Sequence, residues 1–193
     1  MVATGRKPNI EDLNLGKAGI TVSDKGAVEV NEFLQTNLPH IFALGDVNGG
    51  PQQTYISLDD YRIIRDFIYG DKTYSTDRRK NVPATTFIEP PLSQVGLSET
   101  AAREQGLDYK VASLDVSSIP KAKILDNQTG LYKAIIDSKT NKILGATLFG
   151  EESHEVINII STAMIADMDY TQLRDQIFTH PTMAEALNDL FKI

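Results

Sequence analysis

Residues 130–150, GLYKAIIDSKTNKILGATLFG, constrain the fold more than any other stretch. Two runs rich in β-branched and aromatic side chains flank the polar turn SKTN, and such side chains suit a pleated, half-buried surface. Strands joined by so short a turn pair antiparallel. The spacing therefore predicts a hairpin, and the surrounding residues are read as an antiparallel sheet with helices against it. The next segment, SHEVINIISTAMIADM, supplies one such helix, apolar through Val156, Ile157, Ile159, Ile160, Ala163, Met164 and Ile165. A face that broad predicts burial on two sides, by the sheet and by a partner subunit.

Upstream, ATTFIEP (84–90) reads as strand and Tyr109 to Leu114 as another. LSETAAREQGL (97–107) reads as a short helix, with Ser98 as N-cap and Gly106 closing it. The stretch DKTYSTDRRK (71–80) is charged and lacks aliphatic residues, as a surface connection between two cores requires. A chain of 193 residues exceeds the commonest domain size of roughly 100–150, so a boundary is expected there. Before it, Ile56, Ile63, Ile64, Phe67 and Ile68 recur at helical spacing from about Gln52 to Tyr69, with Gly70 as a stop. Ile41 to Leu44 reads as a short strand ending in Gly45 and Asp46. Ile20 and Val22, a turn at 24–26, then Val28 and Val30 read as a hairpin. Val2 and Ala3 read as the end of a strand.

Charge and cysteine usage exclude several function classes. With 26 acidic against 19 basic side chains the formal charge is -7, which repels phosphate backbones and anionic lipid. No apolar run approaches the roughly 20 residues of a membrane span, and no secretory signal opens the chain. A cytoplasmic protein that binds neither nucleic acid nor membrane is expected. The absence of cysteine rules out disulfides, thiolate zinc sites and a cysteine nucleophile within these residues. His40, His154 and His180 lack metal-ligand spacing, so no metal is expected. A hydrolase is disfavoured because no GxSxG is present.

Two positions carry candidate chemistry. Asp46 follows a strand and a glycine. Its carboxylate can accept a hydrogen bond from a sugar-alcohol hydroxyl at a strand's carboxyl edge, with Gly45 admitting the close approach, or it can simply cap the turn DVNGG. In FTHPTMAEALNDLF (178–191), His180 can exchange protons near neutral pH, and a carboxylate on one ring nitrogen would fix its tautomer. Glu185 is that carboxylate, or it closes a capping box with Thr182. Pro181 restricts the backbone of His180. Arg6 reads as a solvated loop charge, and His40 and His154 as structural or surface residues.

Four separated segments, ATGRKPN (3–9), TNLPHIFALGDV (36–47), PATTFIEPPLSQVGLSETAA (83–102) and HPTMAE (180–185), together resemble one family. They resemble the FAD-dependent pyridine nucleotide-disulfide oxidoreductases, the family of glutathione reductase, dihydrolipoamide dehydrogenase and mercuric reductase. The tail is most similar to the bacterial branch associated with reactive-chlorine resistance. The resemblance implies that residues 1–80 hold the tail of a nicotinamide-binding domain and the C-terminal portion of a FAD-binding domain, and that residues 83–193 form an α+β dimerisation domain. It implies that Asp46 binds the ribityl chain of FAD, that Gly45 lets the backbone approach the cofactor, and that the backbone of Gln53, Thr54 and Tyr55 faces the flavin. His180 would be the acid-base residue, oriented by Glu185, reaching the redox site of the other subunit of a homodimer. Electrons would pass from NAD(P)H through FAD and a cysteine pair to a disulfide or other oxidised acceptor. No GxGxxG loop and no cysteine pair are present, so the resemblance implies a missing N-terminal portion and a chain inactive and flavin-free by itself. The alternative is a stand-alone, non-catalytic dimerisation module.

Overall fold

The computed structural model describes residues 3–193, so the reading of Val2 lies outside the described residues, and Ala3 belongs to no strand. The chain divides into two compact units, the second beginning at Lys80.

The first unit contains a short helix α1 (Leu15–Ala18), a 3-10 turn (Gly45–Asn48), the long helix α2 (Thr54–Tyr69) and a second 3-10 turn (Thr76–Arg78). The hairpin expected through residues 20–30 shrinks to one bridge, Val22 to Val28, and the strand expected at 41–44 to another, Gln35 to Phe42. Competing hydrogen bonds explain both corrections. The Val28 N–H donates to Val47 O at 2.9 Å, tying this segment to the 3-10 turn instead of to a ladder, and Leu34 turns with φ +64°, which breaks the partner of residues 41–44. Helix α2 buries Ile56, Ile63 and Asp60. The Phe67 ring packs on Phe33 and Phe42, each with centroids 5.5 Å away. Helix α2 ends at Gly70, whose N–H donates to Asp66 O. Asp66 Oδ2 then accepts the N–H groups of Thr73 and Tyr74 at 2.8 and 2.9 Å. The polar stretch read as a surface connection is thus pinned back onto α2 over its first half.

The second unit is α+β. Strands β1 (Ala84–Thr86) and β2 (Leu92–Gly96) are followed by α3 (Glu99–Glu104), β3 (Tyr109–Asp115), α4 (Pro120–Ile124), β4 (Leu131–Asp137), β5 (Ile143–Phe149), α5 (Ser153–Ile165), α6 (Tyr170–Asp175) and α7 (Ala186–Leu190). The five strands lie in the order β1-β2-β5-β4-β3, every pair antiparallel. The β4–β5 hairpin forms where its sequence places it. Asp137 closes the turn by accepting the N–H groups of Lys139 and Thr140 and the Thr140 hydroxyl, and these bonds, the Thr140 N–H foremost, hold its carboxyl below the usual range. Ser98 caps α3 by accepting the Ala101 N–H at 3.1 Å. Tyr132, Ala134 and Ile136 of β4 and Ala146 and Leu148 of β5 bury one sheet face against Val156, Ile157, Ile160 and Ala163 of α5 and Leu187, Leu190 and Phe191 at the chain's end. Alternation with period two on the strands and a broad apolar stripe on α5 make this core. Ile159 is only partly buried and Ile165 remains 65% exposed, so the described residues leave part of the outer side of α5 uncovered. Among the described residues no helix is long and apolar enough to cross a membrane.

Candidate functional site

His180 lies in the segment between α6 and α7, and three features fix that segment. Met183 is fully buried, anchoring it to the core. Asn188 Nδ2 donates to the carbonyls of Leu173, Arg174 and Gln176 at 2.9–3.0 Å, which joins α7 to the end of α6. Thr182 Oγ1 donates to Thr179 O at 2.8 Å. The His180–Pro181 peptide is cis.

The two readings of Glu185 hold at once, because its carboxylate has two oxygens. Oε2 lies 2.7 Å from His180 Nδ1, while Oε1 accepts the Thr182 N–H at 3.1 Å and the Glu185 N–H returns to Thr182 Oγ1 at 3.2 Å. The Glu185 side chain is 19% exposed and that of His180 is 67% exposed. An Nδ1–H that donates to Glu185 leaves Nε2 as the ring's acceptor. Such an imidazole can take or give a proton at a surface.

In the first unit, Gly45 adopts φ +72°, a left-handed conformation that disfavours a side chain, and a Cβ there would meet Ser57 Oγ at 2.9 Å. Asp46 is half-exposed, and the exposed Arg6 approaches it to 3.7 Å through Nη1. Gln53 is the N-cap of α2 with extended backbone, and Thr54 and Tyr55 form its first turn. Burial pushes the Tyr55 hydroxyl up, and its hydrogen bond to Gln53 counters this only in part.

Sequence reasoning missed a charged cluster behind this turn. Asp60, fully buried, accepts the Gly45 N–H at 2.6 Å and Asn48 Nδ2 at 3.2 Å, and Arg79 Nη2 donates to its other oxygen. Arg79 Nε donates to Asp59 at 2.7 Å, and Asp59 also accepts the Tyr74 hydroxyl at 2.7 Å, which raises that hydroxyl's pKa. A signal existed: Asp60 occupies the stripe of Ile56, Ile63 and Phe67, where a polar residue is out of place. Arg79, in a charged run, gave none. His40 is exposed. His154 opens α5 and tilts against Phe87, with centroids 5.6 Å apart. Among the described residues no cluster of histidine, aspartate and glutamate is arranged to hold a metal ion.

Comparison with known proteins places the chain. Residues 82–191 match the pyridine nucleotide-disulphide oxidoreductase dimerisation domain, and residues 1–60 match the pyridine nucleotide-disulphide oxidoreductase domain. The chain therefore belongs to the pyridine nucleotide-disulphide oxidoreductases. Among its relatives, the probable pyridine nucleotide-disulfide oxidoreductase RclA of Escherichia coli strain K12 is 51% identical over 193 residues, which are the whole of this chain and 44% of RclA. Mercuric reductase of Staphylococcus aureus is 38% identical over 187 residues, 97% of this chain and 34% of that enzyme. The solved structure of the HOCl-induced flavoprotein disulfide reductase RclA from Escherichia coli superposes with a TM-score of 0.96 at 52% identity, covering 98% of this chain and 43% of that one. The chain spans less than half the length of these relatives.

Proposed function

We propose that this chain forms the C-terminal portion of a homodimeric, cytoplasmic flavoprotein that moves electrons from NAD(P)H through FAD, and a cysteine pair outside these residues, to a disulfide or other oxidised acceptor. FAD, when bound, supplies the hydride and electron chemistry. In this reading residues 1–80 complete the nicotinamide- and FAD-binding domains, and residues 83–193 make the dimer. Asp46 would accept from the ribityl hydroxyls beside Gly45, whose left-handed backbone would let the turn approach the cofactor, and the backbone at Gln53, Thr54 and Tyr55 would present the positive end of α2 to the flavin. His180 exchanges a proton with a thiol of the partner subunit, and Glu185 orients the ring.

The observation that carries this reading is the 2.7 Å contact of His180 Nδ1 with Glu185, with the ring open to solvent in a chain of this family. A non-catalytic dimerisation module, the competing reading, has no use for an exposed imidazole aligned on a half-buried carboxylate. The test uses the complete flavoprotein with Glu185→Gln and His180→Asn. Thiol-linked turnover should fall by about 10²-fold or more for His180→Asn, the range for general acid-base catalysis. Reduction of the flavin by NAD(P)H should stay near the wild-type rate in both variants. Unchanged thiol-linked turnover in the folded variants rejects the acid-base pair.

A further inference from the structure

We propose that Asp60, locked by Arg79, is a positioning residue for the cofactor turn: it sets the geometry of Gly45–Asn48, and so of Asp46, without touching the cofactor. The proposal rests on the reading of Asp46 as a FAD ligand and adds the device that holds it in place.

Asp46 itself is poorly restrained. Its side chain is 51% exposed, and its partner Arg6 is 67% exposed and 3.7 Å away, a surface pair of small energetic weight. The order of the turn must come from its flanks, and both flanks lead to one carboxylate. Asp60 Oδ2 takes the Gly45 N–H at 2.6 Å on one side of Asp46 and Asn48 Nδ2 at 3.2 Å on the other. Asn48 passes the restraint onward, its Oδ1 accepting the Gly50 N–H at 2.9 Å and its amide donating to Ala43 O at 3.3 Å. Asp60 therefore grips the residues on either side of the ligand.

A buried carboxylate on an apolar helix face is costly unless it is paired and hydrogen-bonded, so its presence needs a reason. Helix α2 does not need it for packing, since Ile56 and Ile63 bury the same stripe. Arg79 completes the arrangement. Its side chain is 17% exposed and its guanidinium spans Asp60 and Asp59. Asp59 is held in turn by the Tyr74 hydroxyl. Two carboxylates share one guanidinium, which occupies Asp60 Oδ1 and leaves Oδ2 to face the turn. A charged acceptor fixes N–H donors about twice as strongly as a neutral one.

The test is a double-mutant cycle on FAD affinity in the complete flavoprotein, with variants Asp60→Asn, Asp46→Ala and both together. Asp60→Asn should raise the FAD dissociation constant at least tenfold. The double variant should bind no more weakly than Asp46→Ala alone, because Asp60 acts through Asp46. A purely structural role for Asp60 would instead give additive losses, and additivity overturns the proposal. Asn48→Ala, which leaves no buried charge unpaired, covers the case in which Asp60→Asn does not fold. It should weaken FAD binding severalfold, again without effect in the Asp46→Ala background, and wild-type affinity for Asn48→Ala also overturns the proposal. If Asp46→Ala leaves FAD affinity unchanged, the failure belongs to the assignment of Asp46 as a ligand, which separates the two claims.

Discussion

Glu185 shows how one side chain makes two contacts at once: one oxygen closes the turn at Thr182 and the other receives His180. The turn in its turn depends on α6, because Asn188 ties α7 to the carbonyls of Leu173 and Arg174. At the start of α6, Asp169 is the N-cap, accepting the Thr171 N–H at 2.9 Å and the Thr171 hydroxyl at 2.8 Å, while Gln172 returns to the Asp169 N–H. These bonds, the Thr171 N–H foremost, hold the Asp169 carboxyl below the usual range despite partial desolvation. A carboxyl depressed by folding adds stability that is present above its unfolded pKa, about 3.9, and is lost as pH falls through the lower folded value. Asp169→Asn keeps an oxygen acceptor but not the charge. It should unfold at lower urea than wild type at pH 7, and the gap should narrow by pH 3. An equal gap at both pH values would show that the charge contributes nothing.

At the scale of elements, the β4–β5 hairpin carries a bulge between Ile135 and Ile136, and Gly145 sits beside it, paired with Gly96 on one side and Ile135 on the other. A Cβ at Gly145 would lie 2.2 Å from Leu97 O and 2.3 Å from Leu97 N, backbone atoms held by the Leu97 N–H to Leu144 O bond. Gly145→Ala should therefore destabilise the chain at the upper end of the roughly 1–3 kcal/mol range for overpacking. Gly16→Ala, with open space around it in α1, should cost nothing and serves as the control. Denaturant midpoints of the two variants check the contrast. The same elements show what local sequence can reveal. β4, β5, α2 and α5 were legible because their apolar periods are long and their turns or stops distinctive. β2, LSQVG, was not, since its strand character comes from pairing with β5, distant in sequence. PKAKI is too short for a helical period to register. The strand expected at 41–44 failed because its hydrogen bonds go to Leu34 and Thr36 across a chain that turns at Leu34. In the candidate site, His180 and Glu185 were legible through the segment HPTMAE that carries the family resemblance, whereas Asp60 and Arg79 stand 19 residues apart and meet only when the polar stretch folds back on α2.

For the whole molecule, each protomer of the proposed homodimer brings these residues with a formal charge of -7, and like charges repel. Association must then come from apolar burial, and screening by salt should tighten it instead of weakening it. The second unit leaves apolar groups for this purpose: Ile165 at the end of α5 is 65% exposed and Ile177 is 96% exposed. Ile177 stands three residues before His180, so a seam that covers it carries the imidazole to the partner subunit, as the proposed chemistry requires. Ile177→Asp and Ile165→Asp should each convert the dimer to a folded monomer, measured by sedimentation equilibrium with circular dichroism as the check on folding. Tyr69→Asp, at an 85% exposed position in the first unit, should leave the dimer intact. A dimer that survives Ile177→Asp places the seam away from this segment. His180 would then serve its own subunit, and thiol-linked turnover would have to be intact in hybrid dimers in which only the acid-base residue of the opposite subunit has been removed.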